Sequence, residues 1–166
     1  MTLHASARGR QIILNREGVL TWSVFLGVFL SIVGVFLPWG KETHPPGMFG
    51  RYDGLLGVQL LPGTIALIGS AFTAVFFLLH VKTTLRVFGA LALLFGIITV
   101  FCTLTWVLIP DSVGWYWGWW RYGLTLIISG EPMYMVLYGA YISFAGSFLT
   151  LASMISLRFL RRVKSN

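Results

Sequence analysis

Four long apolar runs, none interrupted by a charged residue, constrain this chain more than any other feature. They cover about residues 19–39, 60–79, 87–109 and 133–157. About 20 apolar residues make a helix that crosses the hydrocarbon core of a bilayer. Of the 166 residues, 57% are hydrophobic and only 10% are charged, against about 25% charged in an average soluble domain. A single soluble core of this size cannot hide so much apolar surface, so lipid is the expected solvent. The expected fold class is all-α integral membrane: a four-transmembrane-helix bundle, one membrane domain over 1–166, with outer loops at 40–59 and 110–132. The first run exceeds the 7–15 apolar residues of a signal peptide, and Pro38-Trp39-Gly40 is no cleavage site, so a retained helix is expected.

Charge fixes the expected orientation. Arg8, Arg10, Arg16, Lys82, Arg86, Arg158, Arg161, Arg162 and Lys164 lie on one side of the four runs. Lys41, Arg51 and Arg121 lie on the other, with Glu42, Asp53, Asp111 and Glu131. By the positive-inside rule both termini and the short middle loop face the cytoplasm, and the expected location is the cell membrane. The net charge of +7 flanks apolar spans, so no nucleic-acid partner is expected. Trp39, Trp106, Trp115, Trp117, Trp119 and Trp120 all fall outside or at the outer interface, where an aromatic ring keeps its body in lipid and its polar edge in water.

The two outer loops look related. Arg51-Tyr52 recurs as Arg121-Tyr122, and the same offset relates Arg16 to Arg86, Pro62 to Pro132 and Gly69 to Gly139. This pattern suggests two tandem helical hairpins. Tyr52–Leu61 and Tyr122–Ile128 mix β-branched and aromatic residues with glycines. They read either as a small extracytoplasmic β element or as the outer turns of the second and fourth helices. Small residues at four-residue spacing (Gly27/Ser31, Ala66/Ser70/Ala74, Ala92/Gly96, Gly139/Ser143/Ser147) predict close helix contacts.

Tests for chemistry mostly return nothing. His4, His44 and His80 do not share a helix face, so no metal site and no cofactor are expected. Cys102 sits in an apolar run with no histidine in it, which reads as packing rather than nucleophilic catalysis. The spans carry no ionisable group of the kind that proton- or ion-driven transport uses. The most non-random stretch is Trp115-Tyr116-Trp117-Gly118-Trp119-Trp120-Arg121-Tyr122. It reads as an interfacial anchor or as a docking surface for another protein, a lipid or a saccharide, since aromatics and arginine dominate binding hot spots. Arg51, Asp53 and Glu131 are candidates for polar pairs between the loops, and Glu131 also suits the start of a helix. Tyr134, Tyr138 and Tyr141 fall at helical spacing. Such a stripe lines an apolar-ligand site or, more often, a helix–helix interface.

Pro38-Trp39, followed through Tyr52-Asp53-Gly54 by a Gly- and Leu-rich span, resembles a pattern of small, functionally unassigned prokaryotic four-span membrane proteins over roughly residues 25–80. The layout also resembles that of claudins, although the first-loop cysteine pair and the Trp-Gly-Leu-Trp motif are missing. The resemblance implies a four-span fold and carries no residue roles. The expected function is that of a non-catalytic integral membrane protein. Its leading form is an accessory or scaffold subunit that docks on other membrane subunits, or on itself, through the aromatic loop. The alternative is a binding or transport module for a lipid, quinone or other apolar molecule. An enzyme with its site around Asp53, Arg121 and Glu131 is the least favoured reading.

Overall fold

The computed structural model describes residues 2–42, 54–108 and 134–165. In chain order it contains α1 (Thr2–Val35), β1 (Pro38–Glu42), β2 (Leu55–Leu56), a 3-10 turn (Gly57–Gln59), α2 (Leu61–Thr83), α3 (Arg86–Leu108), β3 (Tyr134–Val136) and α4 (Tyr138–Ser165). Within these helices Arg16–Val35, Leu61–Thr83, Arg86–Leu108 and Tyr138–Arg161 are long and apolar enough to cross a membrane. At 1.5 Å per residue they measure about 30 to 36 Å, matching a hydrocarbon core of about 30 Å.

The helices end where the sequence forces them to. Pro38 lacks an N–H and disfavours helical backbone before it, so α1 stops at Val35, short of the expected 39. The indole of Trp39 then donates to the Gly34 carbonyl at 2.8 Å, satisfying one of the orphan acceptors at the helix end. Pro62 stands in the first turn of α2, where its missing N–H costs nothing. Thr84 closes α2 in the left-handed conformation (φ 58°), its N–H donating to the His80 carbonyl at 2.9 Å.

A three-stranded antiparallel sheet in the order β2-β1-β3 caps one end of the bundle. Gly40 pairs with both Leu55 and Val136, and a bulge between Pro38 and Gly40 turns Trp39 inward. A small β element beside the helices is thus present as expected, and its make-up corrects two expectations. The fourth span does not begin at 133: residues 134–136 are strand, because the free edge of β1 needs a backbone partner. Of the two expected strand segments, the described part of Tyr52–Leu61 contributes the strand Leu55–Leu56, while Tyr122–Ile128 lies outside the described residues. The middle strand is Pro38–Glu42, at the junction of the first span and its loop.

Trp39 and Trp106 are not interfacial anchors. Both are fully buried beneath the sheet, their ring centroids 6.3 Å apart, with the Trp106 indole donating to the Trp39 carbonyl at 3.2 Å. A buried indole needs a partner for its N–H, and both find backbone carbonyls. Val35, Leu55, Leu60, Ala66 and Ala140 complete this cluster.

Along the bundle the pattern is inside-out. Large apolar side chains such as Trp22, Phe29, Phe72, Ile97, Phe101 and Phe148 face outward. Among the described residues the buried polar side chains are all hydroxyls: Ser31, Ser70, Thr73, Thr99, Thr103, Ser143, Ser147, Thr150 and Ser153. Ser31 meets Ser70 at 2.8 Å, Ser143 donates to the Ser31 carbonyl at 3.0 Å, and Thr103 meets Ser147 at 3.2 Å. These bonds link α1 to α2, α1 to α4 and α3 to α4. In membranes such bonds average about 0.6 kcal/mol each. A cavity of about 10 Å³ lies between the helices, lined by Val28, Ser70, Thr73, Gly96, Thr99, Ser147 and Thr150.

The most extensive helix pairs are α1 with α4 and α2 with α3. They are not the two pairs that tandem hairpins with outer loops would join. The α1–α4 seam runs through glycines. A Cβ on Gly34 would lie 2.5 Å from the Ser143 nitrogen, and one on Gly27 2.6 Å from the Gly146 carbonyl oxygen. The offset of 70 does not relate equivalent depths either: Gly69 faces Thr99 within α2, whereas Gly139 sits in the first turn of α4 against Leu37 and Pro38.

Candidate functional site

At the end opposite the sheet all four helices contribute to an open pocket of about 790 Å³, within the usual range of ligand pockets of about 300–1,000 Å³. Its floor is apolar. Phe77 of α2 and Met154 and Leu157 of α4 are nearly sealed from solvent, and Leu93 of α3 packs against them. Its rim is polar: Glu17 from α1, His80 from α2, Arg86 from α3, and Arg158 and Arg161 from α4. Arg158 and Arg161 are three residues apart and so share a helix face.

His80 occupies the centre of this rim. Its Nδ1 lies 2.9 Å from the Leu85 carbonyl and its Nε2 lies 3.0 Å from Arg161 Nη1. A carbonyl only accepts and a guanidinium only donates. The ring is therefore the neutral tautomer that donates from Nδ1 to Leu85 and accepts at Nε2 from Arg161. Gly89 makes room for it, since a Cβ there would stand 3.1 to 3.2 Å from three ring atoms. The imidazole thus ties the α2–α3 turn to the last turns of α4. Sequence alone gave His80 no partner, because Leu85, Gly89 and Arg161 converge on it only through the fold.

The residues singled out from the sequence lie elsewhere. Trp115, Trp117, Trp119, Trp120, Arg121 and Tyr122, with Arg51, Asp53 and Glu131, fall outside the described residues. Tyr134 belongs to β3 and not to a helix, so the helical stripe that it began does not exist. Tyr138 and Tyr141 lie on α4, each more than half exposed on the outer surface of the bundle. Cys102 is half-buried within α3. Among the described residues no three His, Cys, Asp or Glu side chains come together as metal ligands would.

Arg86, Arg158 and Arg161 first enter as orientation signals, and the structure brings all three to one cavity. The sequence signal was present in their clustering at one end. What it lacked was the pairing of α1 with α4 and of α2 with α3 that encloses a space between them. The pocket combines an apolar interior with a polar, cation-rich mouth. Comparison with family models, curated proteins and solved structures finds no match for this chain.

Proposed function

We propose that this chain is a non-catalytic integral membrane protein that binds an amphipathic molecule in the basic-rimmed pocket. Both termini and the α2–α3 turn then face the cytoplasm, as the distribution of Lys and Arg requires. The observation that carries the reading is the pocket itself: about 790 Å³, floored by Phe77, Leu93, Met154 and Leu157 and rimmed by charged side chains. The outward-facing apolar side chains and the hydroxyl-lined interior support a lipid surround. Native mass spectrometry after extraction in mild detergent tests it. The expected result is a chain that retains an amphiphile of definite mass, and Leu157→Trp, which fills the floor, is expected to release it. Equal retention by a folded Leu157→Trp variant would refute the assignment to this pocket.

A second reading, an accessory or scaffold subunit, is supported at the other end of the bundle. The nearest described residues on either side of the aromatic stretch, Leu108 and Tyr134, both belong to the sheet end, where β3 is hydrogen-bonded to β1. In this reading Trp115, Trp117, Trp119, Trp120, Arg121 and Tyr122 dock on a partner membrane subunit. Trp117→Ala with Trp119→Ala is then expected to release co-purifying polypeptides from a folded chain. Undiminished association would remove the docking surface.

A further inference from the structure

The rim of the pocket is electrostatically one-sided. Arg86, Arg158 and Arg161 line it against Glu17, the single acid among its described lining residues, and these four groups carry a net charge of +2. Arg158 and Arg161 stand near the carboxyl end of α4, where the helix dipole favours cations whatever the function. Arg86 has no such support. It opens α3, the end where the dipole disfavours a cation, and no acid stands in that first turn. Arg161 spends a donor on His80 Nε2, a neutral acceptor that fixes the guanidinium without cancelling its charge. The Leu85–His80–Arg161 chain of hydrogen bonds therefore holds a cation ready at the mouth of an apolar cavity.

We propose that the pocket takes an anionic glycerophospholipid of the cytoplasmic leaflet, with its phosphate among Arg86, Arg158 and Arg161 and an acyl chain on the Phe77–Leu157 floor. The proposal rests on the amphiphile-binding reading above and gives the ligand its class. A guanidinium offers paired N–H donors that match phosphate oxygens. A zwitterionic headgroup brings a cation of its own against three arginines. A soluble phosphate has no use for the floor. His80 is a positioning residue, acting on the ligand through Arg161. Basic pockets between membrane helices on the cytoplasmic side are suited to anionic headgroups for the same electrostatic reason.

The experiment presents the detergent-solubilised full chain with equimolar dioleoyl phosphatidylglycerol and dioleoyl phosphatidylcholine at low ionic strength and counts bound lipid by native mass spectrometry. One juxtamembrane charge corresponds to about a fivefold change in binding, so a net +2 gives an expected preference of about twenty-five-fold for phosphatidylglycerol. Arg158→Gln and Arg161→Gln are each expected to lower the preference about fivefold. His80→Phe, which frees Arg161, is expected to lower it as well, and His80→Asn, which keeps a side-chain acceptor, to restore part of it. A merely structural role for His80 would change both lipids alike and leave the ratio unmoved. Wild-type protein that retains both lipids equally overturns this proposal and leaves the amphiphile reading standing. Protein that retains neither overturns both.

Discussion

Gly34→Ala tests how far the α1–α4 seam holds the bundle together. A methyl group at Gly34 would lie 2.5 Å from the Ser143 nitrogen and 2.7 Å from its Cα. These are backbone atoms, so no rotamer change relieves the clash. Carbon contacts settle at about 3.5 to 4.0 Å, so the helices must part by roughly 1 Å. Overpacking of this kind costs about 1 to 3 kcal/mol. The same movement stretches the 3.0 Å bond from Ser143 to the Ser31 carbonyl beyond hydrogen-bonding range, adding about 0.6 kcal/mol. The expected loss is about 2 to 4 kcal/mol. At about 2 to 4 °C per kcal/mol for a chain of this size, the melting temperature falls by about 5 to 15 °C. Intrinsic tryptophan fluorescence on heating in detergent reads it, because Trp39 and Trp106 are buried beside this seam. Gly18→Ala is the control: nothing lies within 4 Å of its added carbon, and alanine favours helix over glycine by up to about 1 kcal/mol. A Gly34→Ala protein that melts with wild type, or a Gly18→Ala protein that falls equally, would refute the reasoning.

Other expectations follow from single contacts. Trp39→Phe removes the indole donor to the Gly34 carbonyl, which keeps its 3.2 Å bond from the Leu37 N–H, so the expected cost is about 0.5 to 1.5 kcal/mol in the same melting assay. Thr84→Gly relieves a left-handed β-branched residue at φ 58° and is expected to stabilise by about 1 kcal/mol, read as a raised melting temperature. For sidedness, in a Cys102→Ser background, Ser165→Cys should react with an impermeant maleimide only after cells are opened, while Ser112→Cys should react in intact cells. The reverse pattern would invert the proposed orientation.

The spans were legible because the features that define them are local: length, apolarity and absence of charge. The second and third, expected at 60–79 and 87–109, match α2 and α3 closely. The sheet end was harder. Pro38-Trp39-Gly40-Lys41-Glu42 has neither alternation nor β-branched residues, yet it forms the middle strand because Leu55–Leu56 and Tyr134–Val136 both have backbone to satisfy there. The tyrosine spacing was counted across a strand–helix junction that periodicity does not detect. Small-residue spacing identified Gly27, Ser31, Gly139 and Ser143, but a strict four-residue step passed over Gly34 and Gly146, which continue the same faces by steps of three and make some of the closest contacts. The pocket was invisible for another reason. Its rim is shared among four helices, and each arginine already had a sufficient explanation in membrane orientation.

Residue size along the bundle bears on why a pocket opens at the basic end. From the sheet end inward, the buried face of α4 runs Gly139, Ser143, Gly146, Thr150, Met154 and Leu157, and that of α2 runs Gly63, Ala66, Ser70, Thr73 and Phe77. Both end in larger side chains at the basic end, Met154 and Leu157 on α4 and Phe77 on α2. On α3 the order is reversed: Trp106 plugs the sheet end, and Gly89 and Ala92 stand at the basic end opposite His80 and Phe77. Gly89 is therefore the point where helix packing and the candidate site meet. Its replacement by alanine separates the two. The new methyl would press on the imidazole at 3.1 to 3.2 Å, a gap that a side-chain ring can widen by turning a few tenths of an ångström. Turning disturbs both of its hydrogen bonds, to Leu85 and to Arg161, at once. Gly89→Ala is thus expected to leave the melting temperature within about 3 °C of wild type, as befits a cost under about 1 kcal/mol. It should still lower the phosphatidylglycerol preference to the level of His80→Phe. A variant that melts far lower would make Gly89 a packing residue of the bundle. One with an undiminished preference would detach the histidine from ligand binding.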